Sequence, residues 1–232
     1  MFRVFHIKTL LIILALCLTT TLIGISIVKS TSNTKIPQTT YTIVLDAGHG
    51  GRDNGCSSQD GIKESDINLS ITKTLKNYLS TLGINVVLTR HDSGGLYKSN
   101  VDNYKLDDMN ARIEIINKSN PNLVISIHQN SYPDSTLRGA QAFYQENDEI
   151  SREFASCIQS QLLSQLEHTR TSYNHGDYYI LNQSKTPAVL IECGYLTNNE
   201  DAQLLSSVNY QNKVAYAIMC GVVKYFGLYG NN

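Results

Sequence analysis

After residue 40, the apolar positions alternate between two spacings, and this alternation predicts strands and helices in turn along the chain. Short continuous apolar runs bounded by turn residues predict buried strands, and apolar residues at intervals of three and four predict amphipathic helices. The predicted strands are Tyr41–Asp46, Ile84–Arg90, Leu123–His128, Gly139–Tyr144, Tyr178–Leu181 and Ala188–Glu192. The predicted helices are Glu64–Leu82, a helix through Asn117 with Asp107 as its N-cap, Ser151–Glu167 and Tyr210–Phe226.

Alternating elements of this kind, with strands that are apolar on both faces, are typical of an α/β fold. We expect a single domain over residues 41–228, with a mostly parallel, twisted sheet and helices on both of its faces. A span of this length is that of one ordinary domain with a full core.

A long apolar run precedes the predicted domain. Residues 9–28 carry no charged side chain, and as a helix they would extend about 30 Å, the thickness of the bilayer core. Arg3 and Lys8 precede the run and favour a cytoplasmic location for residues 1–8. A cleaved signal peptide is the competing interpretation, but the run is long and no small-x-small cleavage site follows it. We therefore predict a transmembrane anchor or uncleaved signal, followed by a Ser/Thr/Asn-rich linker at residues 29–40.

The composition argues against one large class of partner. The 232 residues have a formal charge of −1, and 17% of them are charged. No basic surface is expected, so the sequence does not predict binding to nucleic acid. The cysteines after residue 40 show no C-x-x-C spacing, and disulfide pairing stays open.

Side chains suited to metal binding stand where the predicted strands end. His49 follows the first strand within a glycine-rich turn, and His128 ends the third strand. Glu64 opens the first helix, where an acidic side chain is also favourable to the helix dipole. Ligands collect beyond the carboxyl ends of strands in open α/β sheets, so we expect these side chains to meet. Two imidazoles and one carboxylate form the ligand set of a catalytic zinc site, and we predict one Zn²⁺ per chain.

Glu192 is the most anomalous single residue. It ends the apolar strand that begins at Ala188, where a carboxylate must be paired, solvated in a cavity or close to a cation. We expect it outside the metal's ligands, as the group that accepts a proton from water. Cys56 is the alternative third ligand because it lies in the same loop as His49, although thiolate-rich sites tend to be structural. Weaker candidates for contact with the substrate or the ligands are Gln129, Asn130 and His175.

Five segments, in this order, resemble the zinc-dependent N-acetylmuramoyl-L-alanine amidases of cell walls. The resemblance implies that His49, Glu64 and His128 bind the metal and that Glu192 is the catalytic carboxylate. It also implies hydrolysis of the amide that joins N-acetylmuramic acid to L-alanine in peptidoglycan. The segments are Leu45–Gly51, Lys63–Glu64, Leu88–Arg90, Ser126–Asn130 and Pro187–Asn198.

The single domain, the apolar N-terminal run and the stretch Arg138–Tyr144 most resemble the germination-specific amidases of spore formers. This resemblance implies formation of muramic-δ-lactam in the spore cortex, with the domain between the mother-cell and forespore membranes. We expect delivery to depend on the membrane anchor or on an activating or stabilising partner protein. Ala47, Ser65 and Gln129 depart from the family pattern, and none of these changes removes a ligand.

Two other functions stay open from the residues alone. A membrane-tethered module that binds peptidoglycan without turnover would share the tyrosine-rich composition. A metal-independent glycosidase would use Glu64 and Glu192 as its pair of carboxylates. Retention of all four key side chains favours the amidase.

Overall fold

A computed structural model describes residues 41–227 as one α/β domain built on a six-stranded sheet. The strands are β1 (Thr42–Ala47), β2 (Asn85–Leu88), β3 (Leu123–Asn130), β4 (Gln141–Tyr144), β5 (Asn174–His175) and β6 (Ala188–Tyr195). The helices are α1 (Glu64–Thr81), α2 (Tyr104–Ser119), α3 (Glu149–Gln165), α4 (Tyr179–Gln183), α5 (Asn199–Ser206) and α6 (Val208–Phe226).

The sheet is mixed, in the order β2-β1-β3-β6-β4-β5. Strands β2, β1, β3 and β6 are parallel, whereas β4 pairs antiparallel with β6 and parallel with β5. The prediction of a mostly parallel sheet therefore describes β2, β1, β3 and β6 and misses the direction of β4 and β5. His128 lies on β3 and Glu192 on β6. No helix connects β3 to β4; a crossover to a parallel strand usually needs one.

Apolar side chains cover both faces of the sheet because successive residues of each strand point to opposite sides. Ile43, Leu45 and Ile191 belong to one core, with residues of α1, α3 and α6. Val44 and Leu190 belong to a second core, with residues of α2 and α4. Helices thus pack on both faces, and the second core borders the candidate site.

Two local predictions were wrong, and one helix was missed. The stretch predicted as a strand at Tyr178–Leu181 instead contains helix α4, because so short an apolar run does not distinguish a strand from a helix turn. Asn103, rather than Asp107, caps helix α2, since its side chain accepts from the backbone N–H of Leu106. Helix α5, which Asn198 caps, was not predicted.

The predicted membrane segment at residues 9–28 and the linker at residues 29–40 lie outside the described residues. Within residues 41–227, no helix combines the length and apolar character needed to cross a bilayer.

Candidate metal and catalytic site

The pairing of parallel strands places His128 and Glu192 side by side. The two residues are partners in the register of β3 and β6, and partners in a parallel pair project on the same face of the sheet. The chain after β1 stays close to β3, because Gly48 N donates to Ile127 O at 3.1 Å. His49 therefore lies at the same end of the sheet.

The three predicted ligands meet at one oxygen of Glu64. Glu64 Oε1 is 2.9 Å from Nδ1 of His128 and 3.2 Å from Nε2 of His49. One ligand atom from each residue lies within 4.8 Å of the others, a group that could hold a metal ion. The imidazole rings stand edge to face, with centroids 4.9 Å apart. Two imidazole nitrogens and a carboxylate oxygen fit zinc, with a fourth position available for water.

Glu64 is held firmly in its buried position at the start of α1. Its Oε2 accepts from Cys56 N at 2.9 Å, and its Oε1 accepts from Gln129 N at 3.1 Å and from Asn68 Nδ2 at 3.2 Å. Burial raises the pKa of Glu64, but hydrogen bonds from His128 and His49 outweigh it and hold the pKa well below its usual range. The side chain is therefore a carboxylate, the form that binds metal.

His49 adopts a left-handed backbone conformation with φ 62°, which is uncommon and strained for a residue with a Cβ. Its Nδ1 lies 2.8 Å from Asp53 Oδ2, so that Nε2 is the nitrogen directed at Glu64. Burial lowers the pKa of His49, but the hydrogen bonds and negative charges of Glu64 and Asp53 raise it to about 9. A carboxylate behind a ligating histidine is the usual way to fix the orientation of the ring.

Two glycines make room for the side chains of His128 and Glu64. A Cβ on Gly48 would lie 2.2 Å from Cε1 of His128, and a Cβ on Gly55 would lie 2.3 Å from Oε2 of Glu64. Both distances are far below the closest approach of real Cβ atoms. The side chains of His128 and Glu64 therefore occupy space that a Cβ at position 48 or 55 would fill.

Glu192 is buried beside the three candidate ligands, with 6% of its surface exposed. Its Oε2 has no hydrogen-bond partner within the described chain, and its Oε1 lies 3.5 Å from the hydroxyl of Tyr178. Burial, opposed by the charge of His128 and reinforced by that of Glu64, raises the pKa of Glu192 to about 7. A carboxyl with such a pKa exchanges protons readily at neutral pH, as a general acid or base requires.

A cavity of about 280 Å³, here called the catalytic cavity, opens in front of these groups. Its wall includes the three ligands, Glu192, Gln129, Asn130 and Tyr178. A second cavity of about 230 Å³ shares His49, His128 and Met109 with the first and extends to Lys105. The two cavities therefore adjoin at the histidines.

The weaker candidates lie in different places. Gln129 is buried and donates to Asn68 Oδ1, and Asn130 accepts from Ser131 N. His175 lies on β5 with its ring against Tyr144, and neither cavity includes it.

Cys56, the alternative third ligand, lies outside the group that could hold a metal. Its thiol faces the carbonyl oxygens of Gln129 and Asn130, at 3.6 and 3.9 Å. Burial, together with the charge of Glu64, raises the pKa of this thiol. Its sulfur is directed at these backbone oxygens, so Glu64 and not Cys56 is the third member of the group that could hold a metal.

Sequence reasoning missed the polar groups behind the ligands. Asp46 accepts from Arg112 Nη1 at 2.7 Å, and Asp53 contacts His49. Asp46 carried the same signal as Glu192, a carboxylate at the end of an apolar strand. Arg112 gave no signal of its own, because its i,i+4 spacing from Asp108 is typical of a solvated helix surface.

Comparison with known proteins agrees with this geometry. Residues 43–224 match the N-acetylmuramoyl-L-alanine amidase family. The chain is 36% identical to the germination-specific N-acetylmuramoyl-L-alanine amidase of Bacillus subtilis over 196 residues, 82% of each protein. Among solved structures, it is similar to the CwlD amidase of Clostridioides difficile in complex with the GerS lipoprotein, at 39% identity and a TM-score of 0.78. That alignment covers 82% of this chain and all of the other.

A second solved structure agrees. An N-acetylmuramoyl-L-alanine amidase from Clostridium difficile 630 is 32% identical, with a TM-score of 0.73, over 82% of this chain and 98% of that one. The resemblance read from the sequence motifs is thus confirmed. The chain belongs to the N-acetylmuramoyl-L-alanine amidase family and is an enzyme of that activity.

Proposed function

We propose that this amidase is zinc-dependent, with His49, Glu64 and His128 as the metal ligands and Glu192 as the catalytic carboxylate. One observation carries the proposal. Three ligand atoms of the right chemistry lie within 4.8 Å of one another, beside a buried carboxylate that has one unpartnered oxygen. The bond cut is the amide between the lactyl group of N-acetylmuramic acid and the first L-alanine of the stem peptide.

Each residue has a distinct part in this hydrolysis. Bound zinc supplies Lewis-acid chemistry, which polarises the amide carbonyl and lowers the pKa of water. Glu192 accepts the proton of the attacking water on Oε2 and then donates it to the leaving amine nitrogen. Tyr178 holds the other oxygen, Oε1, and Asp53 orients His49. Burial of Glu192 keeps bulk water from competing for its proton.

The geometry disfavours the glycosidase. Such an enzyme needs one of its two carboxyls protonated as a general acid. Glu192, with a pKa of about 7, meets that need, but the other carboxylate must be free to attack the sugar or to activate water. Both oxygens of Glu64 already accept hydrogen bonds, Oε2 from Cys56 N and Oε1 from Gln129 N and Asn68 Nδ2, so Glu64 is not free for that part. The module without turnover is also disfavoured, since the four key side chains stand together around the catalytic cavity.

Metal removal tests the proposal directly. The full chain is treated with a chelator, dialysed and incubated with sacculi, with and without added zinc, and the muropeptides are identified by mass spectrometry. We expect free stem peptide only from the zinc-loaded enzyme. Full release of peptide by metal-free protein would contradict zinc dependence, and cut glycan with intact amide would favour the glycosidase.

We also propose a role in the spore cortex, in the formation of muramic-δ-lactam during sporulation. Support comes from the similarity to the germination-specific amidase of Bacillus subtilis. We place the enzyme at the outer face of a membrane, anchored by residues 9–28, between the mother-cell and forespore membranes. Loss of the gene from its host should give spores whose cortex lacks muramic-δ-lactam. A normal cortex would argue against this role.

A partner protein is a further part of this proposal. The similar CwlD amidase was solved in complex with the GerS lipoprotein, which supports a partner for this chain as well. Affinity purification of the tagged full chain from sporulating cells, with and without crosslinking, tests for one. Recovery of the chain alone under both conditions would contradict it.

A further inference from the structure

Two arginine side chains are buried beneath the loop that carries His49. Arg90 is 2% exposed and Arg112 is 1% exposed. Both donate to the carbonyl oxygen of Ala47, Arg90 from Nε at 2.8 Å and Arg112 from Nη1 at 2.7 Å, so two like charges lie close together. Apolar side chains often stabilise a core as well as buried charges do. Stability alone therefore does not explain this pair.

Arg112 is bonded to the strand end that leads to His49. Its Nη1 donates to Ala47 O and to Asp46 Oδ1, both at 2.7 Å, and its Nη2 donates to His49 O at 2.6 Å. His49 is the residue with the strained left-handed backbone. A strained backbone conformation persists where the surrounding contacts hold it in place. The hydrogen bond from Arg112 to His49 O is placed to hold this one.

Arg90 connects the same loop to helix α1. Its Nε donates to Ala47 O at 2.8 Å, and its Nη2 donates to Gly48 O at 3.1 Å and to Ser65 O at 2.8 Å. Gly48 precedes His49, and Ser65 follows Glu64. Nη2 of Arg90 thus bonds both to the backbone beside His49 and to the backbone beside Glu64, which are two of the proposed ligands.

We infer that Arg90 and Arg112 are positioning residues that set His49 and Glu64 at metal-binding separation before the ion arrives. This inference rests on the proposed metal site. Neither arginine has a hydrogen bond to the side chain of a proposed ligand. Between them they donate hydrogen bonds to the carbonyl oxygens of Ala47, Gly48 and His49, and Arg90 alone donates to that of Ser65. A planar guanidinium can serve several carbonyls at once, which the single ammonium of lysine cannot reproduce.

The test measures zinc affinity rather than turnover. The full-length chain and its Arg90→Lys and Arg112→Lys variants are titrated with zinc against a chromogenic chelator, and their thermal midpoints are recorded. We expect zinc affinity to fall by about 10–100-fold in each variant, as for loss of groups that orient metal ligands. Both variants keep the positive charge, so the loss reports geometry and not the net charge near the site.

A matched control separates positioning from loss of stability. Gln159 is also buried and bonds to backbone, through Ala142 N at 2.7 Å and Arg170 O at 2.6 Å, away from the ligands. We expect Gln159→Leu to lower the thermal midpoint without changing zinc affinity. An equal loss of zinc affinity in this control would overturn the inference.

A milder variant covers the case in which a lysine variant does not fold. Asp108→Asn leaves both arginines in place and removes the carboxylate oxygen to which Nε of Arg112 donates, while the amide oxygen of the asparagine can still accept from Leu96 N. We expect it to weaken zinc binding several-fold. Folded variants that bind zinc as tightly as the wild type would overturn the inference. A wild-type chain that binds zinc but releases no stem peptide would instead overturn the proposed function.

Discussion

The hydroxyl of Tyr178 lies 3.5 Å from Oε1 of Glu192, whereas the other carboxylate oxygen, Oε2, is buried without a partner in the described chain. The ring of Tyr178 is packed edge to face against Phe143, with centroids 5.3 Å apart. A Cβ on Gly176 would lie 2.5 Å from the same ring. The tyrosine is thus fixed in place, so its hydroxyl can hold one oxygen of the acid while the other reacts.

Tyr178→Phe removes only this hydroxyl. A typical net hydrogen bond contributes about 0.5–1.5 kcal/mol, so we expect kcat to fall by about 2–10-fold with little change in KM. The hydrogen bond from Tyr178 lowers the pKa of Glu192, so its loss should raise that pKa and shift the acid limb of the kcat profile to higher pH. Tyr144→Phe, on β4 outside the catalytic cavity, is the control. An unchanged pH profile in Tyr178→Phe would contradict this role.

Glu192→Gln tests the proton-transfer role with little change in shape. General acid–base catalysis typically contributes about 10²–10⁴-fold to the rate. We therefore expect kcat to fall by at least about 10²-fold while zinc stays bound. Burial disfavours the charged carboxylate, so the neutral amide should leave the thermal midpoint unchanged or raise it. Kinetics, metal analysis and calorimetry on one preparation check all three points. Wild-type turnover would show that another group transfers the proton.

The candidate side chains could be predicted because each one stands at a local boundary that the sequence itself marks. His128 and Glu192 end apolar runs, and Glu64 begins a helical period. The parallel order of the strands then brings such boundaries to one edge of the sheet. Local pattern and general topology were therefore sufficient for the group that could hold a metal.

The supporting groups could not be predicted because their partners are distant in sequence and have no characteristic pattern. Arg90 and Arg112 bond to backbone carbonyls that lie 42 and 63 residues away. Any residue offers a carbonyl, so no residue type indicates such a contact. The direction of β4 was hidden for a similar reason, since an apolar run is the same whether its neighbour is parallel or antiparallel.

Gly48→Ala tests whether the space around His128 is required for metal binding. The added Cβ would lie 2.2 Å from the imidazole, so the ring must move, and we expect zinc affinity to fall by at least about 10-fold. Gly61→Ala is the control without a clash, because a Cβ on Gly61 would meet open space. Unlike Gly48, Gly61 has a positive φ of 78°. The control should lose stability, by about 1 kcal/mol, and keep its zinc affinity. Equal zinc binding in both variants would show that His128 does not need its present position.

Asp46 should make the domain sensitive to acid. The residue is buried, which raises its pKa, but the charge of Arg112 and hydrogen bonds from Thr89 and Ser126 lower it from 3.8 to about 2. A carboxyl whose pKa is lower in the folded state stabilises the fold above its unfolded pKa. This contribution, about 2 kcal/mol, is present above pH 4 or so and is lost as pH falls from about 4 to 2.

Urea unfolding of the wild type and of Asp46→Asn, compared from pH 6 down to pH 2.5, measures this contribution. Other carboxylates titrate in both proteins, so the informative quantity is the difference between their free energies of unfolding. Because only the wild type has a carboxylate at position 46 to protonate, the difference should shrink by about 1–2 kcal/mol over this range. A difference that stays constant down to pH 2.5 would mean that Asp46 is not held ionised by Arg112, and the support beneath His49 would then be weaker than the contacts indicate.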